Sequence, residues 1–134
     1  GVVISYDQIL RITTLDLDGQ KFIVPGLPGN LKSTVRVRIR SRDILLSSTR
    51  LETKITENEL QGIISSIEVE DNSAFSELVI KLKNLKNNKK IQKLRSRITT
   101  YNLKKMKLLI NDSVFIYISS VSIDRQAYQS TKIV

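Results

Sequence analysis

Val35-Arg36-Val37-Arg38-Ile39-Arg40 is the stretch on which the fold turns. Apolar and basic residues alternate without a break, and successive side chains of a strand point to opposite faces. The run therefore predicts a strand over Val35–Arg40 with its odd positions buried and a column of arginines on the other face. Leu78, Ile80 and Leu82 alternate with Val79, Lys81 and Lys83 in the same way, as do Leu94, Ser96 and Ile98 with Lys93, Arg95 and Arg97. The polar run from Asn84 to Lys89 between these two predicts an antiparallel pair. Val114 to Ile118 is apolar on both faces, the pattern of an interior strand or one covered by a partner.

Upstream, Val2–Ile4, Arg11–Leu17 and Lys21–Val24 read as strands, and Asp18-Gly19 is a two-residue hairpin signal. Gln61–Val69 reads as a further strand. Pro25 to Asn30 forms a rigid loop without the Lys-Ser/Thr ending of a phosphate loop. One helix is expected from Tyr101 to Leu109, opened by Thr99-Thr100 as caps, with Leu103, Met106 and Ile110 on one face. This order predicts a mainly β chain: a small five-stranded barrel of the oligonucleotide/oligosaccharide-binding type, with one short helix and additional N-terminal strands. Residues 1–50 are expected as leading strands and 51–134 as the barrel, together one compact unit, with Arg50–Glu59 as the only seam.

Composition narrows the chemistry. The chain has 134 residues, enough for one domain. It has no Cys and no His, which excludes thiolate metal sites, a Cys nucleophile and His-based acid–base catalysis. The carboxylate pairs Glu57/Glu59 and Glu68/Glu70 lack a histidine partner and read as surface charges. No apolar run approaches the roughly 20 residues that span a bilayer, so a cytoplasmic protein is expected.

Net charge is +9, from 22 Lys and Arg against 13 Asp and Glu. Half of the basic residues fall between Leu78 and Asn111, a stretch with no acid at all. That pattern is a phosphate footprint or a solvated lysine face. The solvated face is favoured, because lysine dominates and only Tyr101, Phe115 and Tyr117 could stack bases there. A small basic barrel binding RNA or single-stranded DNA is the alternative function, with nucleic acid the poorer candidate partner.

Three stretches carry a family resemblance. The run from Val35 through Arg40 to Ser41-Arg42-Asp43-Ile44-Leu45-Leu46 resembles the "VRVRIxARDVxLA" signature of a regulatory domain. This is the C-terminal TOBE/molybdate-binding-protein-like domain of the ATP-binding subunit of molybdate ABC importers. Lys93 to Thr99 is similar to that family's "LxARIT", and Ile116 to Ile123 to its "xxIKSVSI" close. The resemblance covers Val2 to Asp124.

It implies a domain that senses intracellular molybdate, tungstate or a similar oxyanion and pairs with a second copy of itself. It also implies an adjoining ABC ATPase domain and, through it, the importer's membrane subunit, so that the full-length protein sits at the inner face of the cell membrane. The chain itself carries no Walker motif, so it is expected to be no enzyme and to hold no cofactor, ATP belonging to the parent subunit alone.

The family's Ser-Ala-Arg-Asn-x-x-x-Gly anion turn corresponds to Ile55 through Gly62. Asn58 and Gly62 match, while Ile55 replaces the serine and Glu57 the arginine, and Ser119 replaces the lysine of the closing motif. The oxyanion site expected by resemblance is therefore Thr56, Glu57, Asn58, Ser119 and Ser120. Arg36, Arg38, Arg40, Phe115 and Tyr117 are the candidate interface.

Overall fold

The computed structural model describes residues 1–26, 30–52, 58–86, 91–119 and 122–123. The chain is mainly β. β1 (Val2–Asp7), β2 (Ile12–Leu17) and β3 (Gln20–Pro25) form an antiparallel meander. β4 (Val37–Arg38) leads through a 3-10 turn at Ser41–Asp43 into β5 (Ile44–Ser47). β6 (Asn58–Val69), β7 (Phe75–Leu82) and β8 (Lys93–Thr99) form a second meander. Helix α1 (Thr100–Met106), β9 (Ser113–Ile118) and β10 (Ser122–Ile123) close the described chain. β5, β9, β6, β7 and β8, in that order, make a five-stranded antiparallel sheet that curls into the expected small-barrel architecture. The Ser41–Asp43 turn packs beside β8, across the opening between the sheet's two edges.

Local chemistry explains most element boundaries. Asp18 and Gly19 both hold positive φ, 52° and 95°, as a tight two-residue hairpin requires. Thr99 caps α1, its hydroxyl accepting from the Asn102 N–H at 3.1 Å. Lys107 then turns left-handed at φ 56°, so the helix stops at Met106, short of the expected Leu109. The chain redirects there. Leu103 and Leu108 supply the buried residues, and Ile110 stands outside the helix, exposed.

The Val35–Arg40 run keeps its alternation but not its expected length. Val35 is buried, Val37 and Ile39 pack on the core, and Arg36 and Arg40 face solvent. The ladder is limited to Val37–Arg38, because the run divides its backbone between two partners. Thr34 and Val35 pair with Val2 and Gly1, whereas Val37 and Arg38 pair with Ile123 and Ser122.

The two halves of the chain repeat one topology. Val35 N–H donates to Gly1 C=O (2.9 Å), and the Gly1 amine donates back to Val35 C=O (3.0 Å). Gly62 pairs with Val114 in the second half. Gly1-Val2-Val3-Ile4-Ser5 is echoed by Gly62-Ile63-Ile64-Ser65-Ser66, and each strand has a bulge at the same place, between Val3 and Ser5 or Ile64 and Ser66. Each half then lends its last strand to the other, β5 pairing with β9 and β10 with β4. β5, inside the leading 1–50 segment, is thus an edge strand of the sheet that the 51–134 segment builds.

Apolar residues from both halves fill one core, including Leu15, Phe22, Val24, Leu60, Ile64, Ile80 and Ile116. Two side-chain amides bolt β3 to β6. Gln20 donates to the carbonyls of Gln61 (3.0 Å) and Lys83 (2.9 Å) and accepts from Gln61 N–H (2.7 Å). Asn58 makes the reciprocal contact to β3.

Candidate functional site

Topology brings together two of the stretches expected to form the oxyanion site. Asn58 opens β6 directly opposite Ile118, and Ile118 is also opposite Ile44. The start of β6, the end of β9 and the Ser41–Asp43 turn therefore meet at one end of the sheet, with Asn58 and Ser119 in neighbouring positions. Thr56, Glu57 and Ser120 lie outside the described residues.

What the two described side chains do there is structural. Asn58 is 4% exposed. Its Oδ1 accepts from Ile23 N–H at 2.7 Å and its Nδ2 donates to Ile23 C=O at 2.8 Å. The side chain thereby acts as one rung of a β ladder. A buried amide needs such partners, and Ile23 supplies both. Ser119 is exposed; its N–H (3.0 Å) and hydroxyl (3.3 Å) both reach Asp43 C=O, fastening the end of β9 to the turn before β5. Gly62, the other residue matching the anion-turn pattern, has a packing role. A Cβ on it would sit 2.6 Å from Ile80 Cγ2 and 2.8 Å from the Lys81 carbonyl oxygen.

Phe115 and Tyr117 lie on the outer face of β9, and the chain's own residues 50–51 fold over them. Tyr117 is buried; its hydroxyl accepts from Leu51 N–H (2.8 Å) and donates to Glu59 Oε1 (2.9 Å). Arg50 pairs with the same carboxylate oxygen at 3.1 Å and stands 5.2 Å from the centre of the Phe115 ring. Burial is the main reason the Tyr117 phenol titrates above its ordinary range. Of the arginine column, Arg36 and Arg40 are exposed, and the Arg38 side chain is outside what the structure describes.

The basic stretch is less uniform in space than in sequence. Arg95 pairs with Glu77 and Arg97 with Glu70, each at 3.0 Å, and Arg97 also covers the Phe75 ring at 4.3 Å. Lys86 pairs with Asp16. Such exposed pairs add little stability, but they cancel charge that a polyphosphate would otherwise meet. No group of three or more His, Cys, Asp or Glu able to hold a metal occurs among the described residues. No helix among them is long and apolar enough to cross a membrane.

One feature escaped the sequence reading: a cleft of about 420 Å³ between the β1–β3 sheet and the β7–β8 end of the larger sheet. Its apolar wall includes Leu17, Val35, Val37 and Leu94, and its polar rim carries Arg36, Gln92 and Lys93. The described residues that line it come from five separate stretches, and no local motif links them.

Comparison with solved structures places this fold among known ones. The chain is similar to the cytoplasmic molybdate-binding protein ModG, in a crystal form with molybdate bound, at a TM-score of 0.69 and 19% sequence identity. The match covers 92% of this chain and 91% of that one, so the shared architecture includes both halves. No family model matches the sequence. No curated protein matches it.

Proposed function

We propose that this chain is an oxyanion-binding regulatory domain of the TOBE/molybdate-binding-protein type, belonging to the ATP-binding subunit of an importer for molybdate or a similar oxyanion. The observation carrying this reading is the near-complete structural match to a molybdate-binding protein. The ordered resemblances at Val35–Leu46, Lys93–Thr99 and Ile116–Ile123 support it independently. The domain binds and does not catalyse; ATP hydrolysis belongs to the parent subunit, on the cytoplasmic side of the membrane. It pairs with a second copy of itself.

A tetrahedral dianion is held by converging N–H and hydroxyl donors. The strand ends at Asn58 and Ser119 provide the frame, and Thr56, the backbone at Glu57 and Ser120 are the remaining candidate donors. The family's charged donors are replaced at Glu57 and Ser119, and each charge-assisted hydrogen bond is worth about 1.5–3 kcal/mol. Binding by the isolated domain is therefore weak, by on the order of a hundredfold or more relative to a site retaining both charges.

Two measurements test this. Calorimetric titration with molybdate at millimolar concentration should give a weak, saturable heat. No heat with molybdate, tungstate or sulfate would remove the oxyanion. The coding sequence upstream of Gly1 should contain a phosphate loop and an ABC signature, and an unrelated sequence there would remove the importer.

A further inference from the structure

The segment from Thr100 to Ile110 sets basic, aromatic and apolar side chains together on the outside of the molecule. Leu103 and Leu108 are buried in the core. At 3.6 residues per turn, Tyr101 and Lys105 lie two positions either side of Leu103 and so face away from it. The Lys105 ammonium stands 6.0 Å from the centre of the Tyr101 ring, and Tyr101 is 72% exposed. Lys104 and Lys107 are exposed as well. Just beyond them Leu109 and Ile110 form an adjacent apolar pair, 66% and 53% exposed. Lysines at the end of a helix complement its dipole. That accounts for the charge but not for two large apolar residues left in water beside it.

The carboxylates around this segment do not cancel its charge. Asp112 is the first acid after the lysines, and its side chain accepts from the Leu109 N–H at 2.8 Å. It leaves Lys104, Lys105 and Lys107 against a single acid along residues 100–112. The β6–β7 turn reaches the segment at its other end, where the Thr100 N–H donates to Ala74 C=O at 2.8 Å. Of the acids flanking that turn, Glu70 pairs with Arg97 at 3.0 Å, and Asp71 is exposed. The lysines occupy the last turn of α1 and the residue after it, away from that junction.

We propose that this face contacts an anionic lipid surface. Leu109 and Ile110 enter the boundary between headgroups and acyl chains, and Lys104, Lys105 and Lys107 meet the anionic headgroups. Charge complementarity selects the lipid, because anionic headgroups attract basic segments and each lysine near the surface adds to binding. The apolar pair selects a membrane over a nucleic acid, which would leave Leu109 and Ile110 in water. Tyr101, with an apolar ring and a polar tip, suits the interface between the two media. Three lysines and two apolar side chains make a small anchor, so the contact is peripheral and reversible. It rests on this chain's own surface and does not depend on the oxyanion or importer readings.

The test sediments the full chain with phosphatidylcholine vesicles made with and without phosphatidylserine. The chain should pellet with the phosphatidylserine vesicles, stay in solution with phosphatidylcholine alone, and be released by high salt. The double variant Lys104→Gln/Lys105→Gln should weaken binding roughly thirtyfold. Leu109→Ser/Ile110→Ser, which leaves the charge unchanged, should weaken it about tenfold or more. Lys81→Gln/Lys93→Gln removes the same charge at the end of the β7–β8 ladder away from α1, and should leave binding essentially unchanged. All four positions in the two lysine pairs are exposed, and thermal melts verify that every variant folds. No sedimentation with phosphatidylserine would overturn the proposal. Equal weakening by the two lysine pairs would reduce the effect to net charge and overturn the face. Full binding by the Leu109/Ile110 variant would overturn the insertion. Tighter binding of single-stranded RNA than of vesicles, weakened by the Lys104/Lys105 variant, would assign the face to nucleic acid instead.

Discussion

Replacing Asn58 by alanine separates a structural amide from a ligand-binding one. The substitution removes the two hydrogen bonds to Ile23, at 2.7 and 2.8 Å. It also leaves the Ile23 N–H and C=O without those partners where β3 meets β6. Each bond contributes about 0.5–1.5 kcal/mol net, and an unsatisfied buried group costs about 1–3 kcal/mol. Because Ile23 is only half-buried, water recovers part of that cost, and a loss of about 2–3 kcal/mol is expected. For a chain of this length that lowers Tm by on the order of 10 °C. Urea unfolding followed by far-ultraviolet circular dichroism should show a lower midpoint with an unchanged slope. Asn58→Asp keeps the acceptor for Ile23 N–H but sets a carboxylate oxygen against Ile23 C=O. It should be about as unstable at neutral pH and partly recover on acidification, when the protonated carboxyl can donate again. An Asn58→Ala protein as stable as the parent, but with molybdate binding abolished, would refute this reasoning and make the side chain a ligand.

Gly62→Ala should destabilise by about 1–3 kcal/mol, because the new Cβ meets the backbone oxygen of Lys81, which cannot swing aside as a flexible side chain could; thermal denaturation measures it. Ser96→Ala should be neutral or stabilising, since the Ser96 hydroxyl is fully buried with no hydrogen-bond partner among the described residues and such a group costs about 1–3 kcal/mol. A marked drop in Tm for that variant would mean that its hydroxyl is satisfied. Tyr117 titrates above its ordinary value of 10.0, so the folded state favours the neutral phenol. The stability this contributes is fully present below the unfolded-state value and is lost as pH rises through the folded one. Alkaline titration of stability should therefore fall less steeply in Tyr117→Phe than in the parent.

Sequence pattern located elements better than it located their partners. The β2–β3 hairpin was legible because Asp18-Gly19 suits the positive φ the turn needs. The interior place of β9 was legible because Val114 to Ile118 is apolar on both faces, and it does lie between β5 and β6. The strand exchange between halves was not, since β5 and β10 carry no local mark of which sheet they join. The repeat escaped too: Gly1-Val2-Val3-Ile4-Ser5 and Gly62-Ile63-Ile64-Ser65-Ser66 are alike in character but share few identities, and only the matching bulges expose them. At the candidate site the resemblance singled out Asn58 and Gly62, and the structure gives both of them packing and hydrogen-bonding roles. Spacing alone could not show that one completes a ladder and the other makes room for a neighbouring strand.

Scaffold and ligand contacts are carried by different atoms here. A position can match a binding motif because it touches a ligand or because it supports the local backbone, and the contacts of Asn58 and Gly62 are of the supporting kind. Fold likeness transfers the scaffold, whereas binding depends on the groups a particular chain sets on it. Here the scaffold ties both halves to the same strand ends. Asp43, just before the exchanged strand β5, holds Ser119 at the end of β9, and Ile23 of the first half holds Asn58 at the start of β6. An anion held beside Ser119 and Asn58 would draw on elements fixed by both halves at once. Its binding free energy would therefore add to the stability of the whole chain by ordinary linkage.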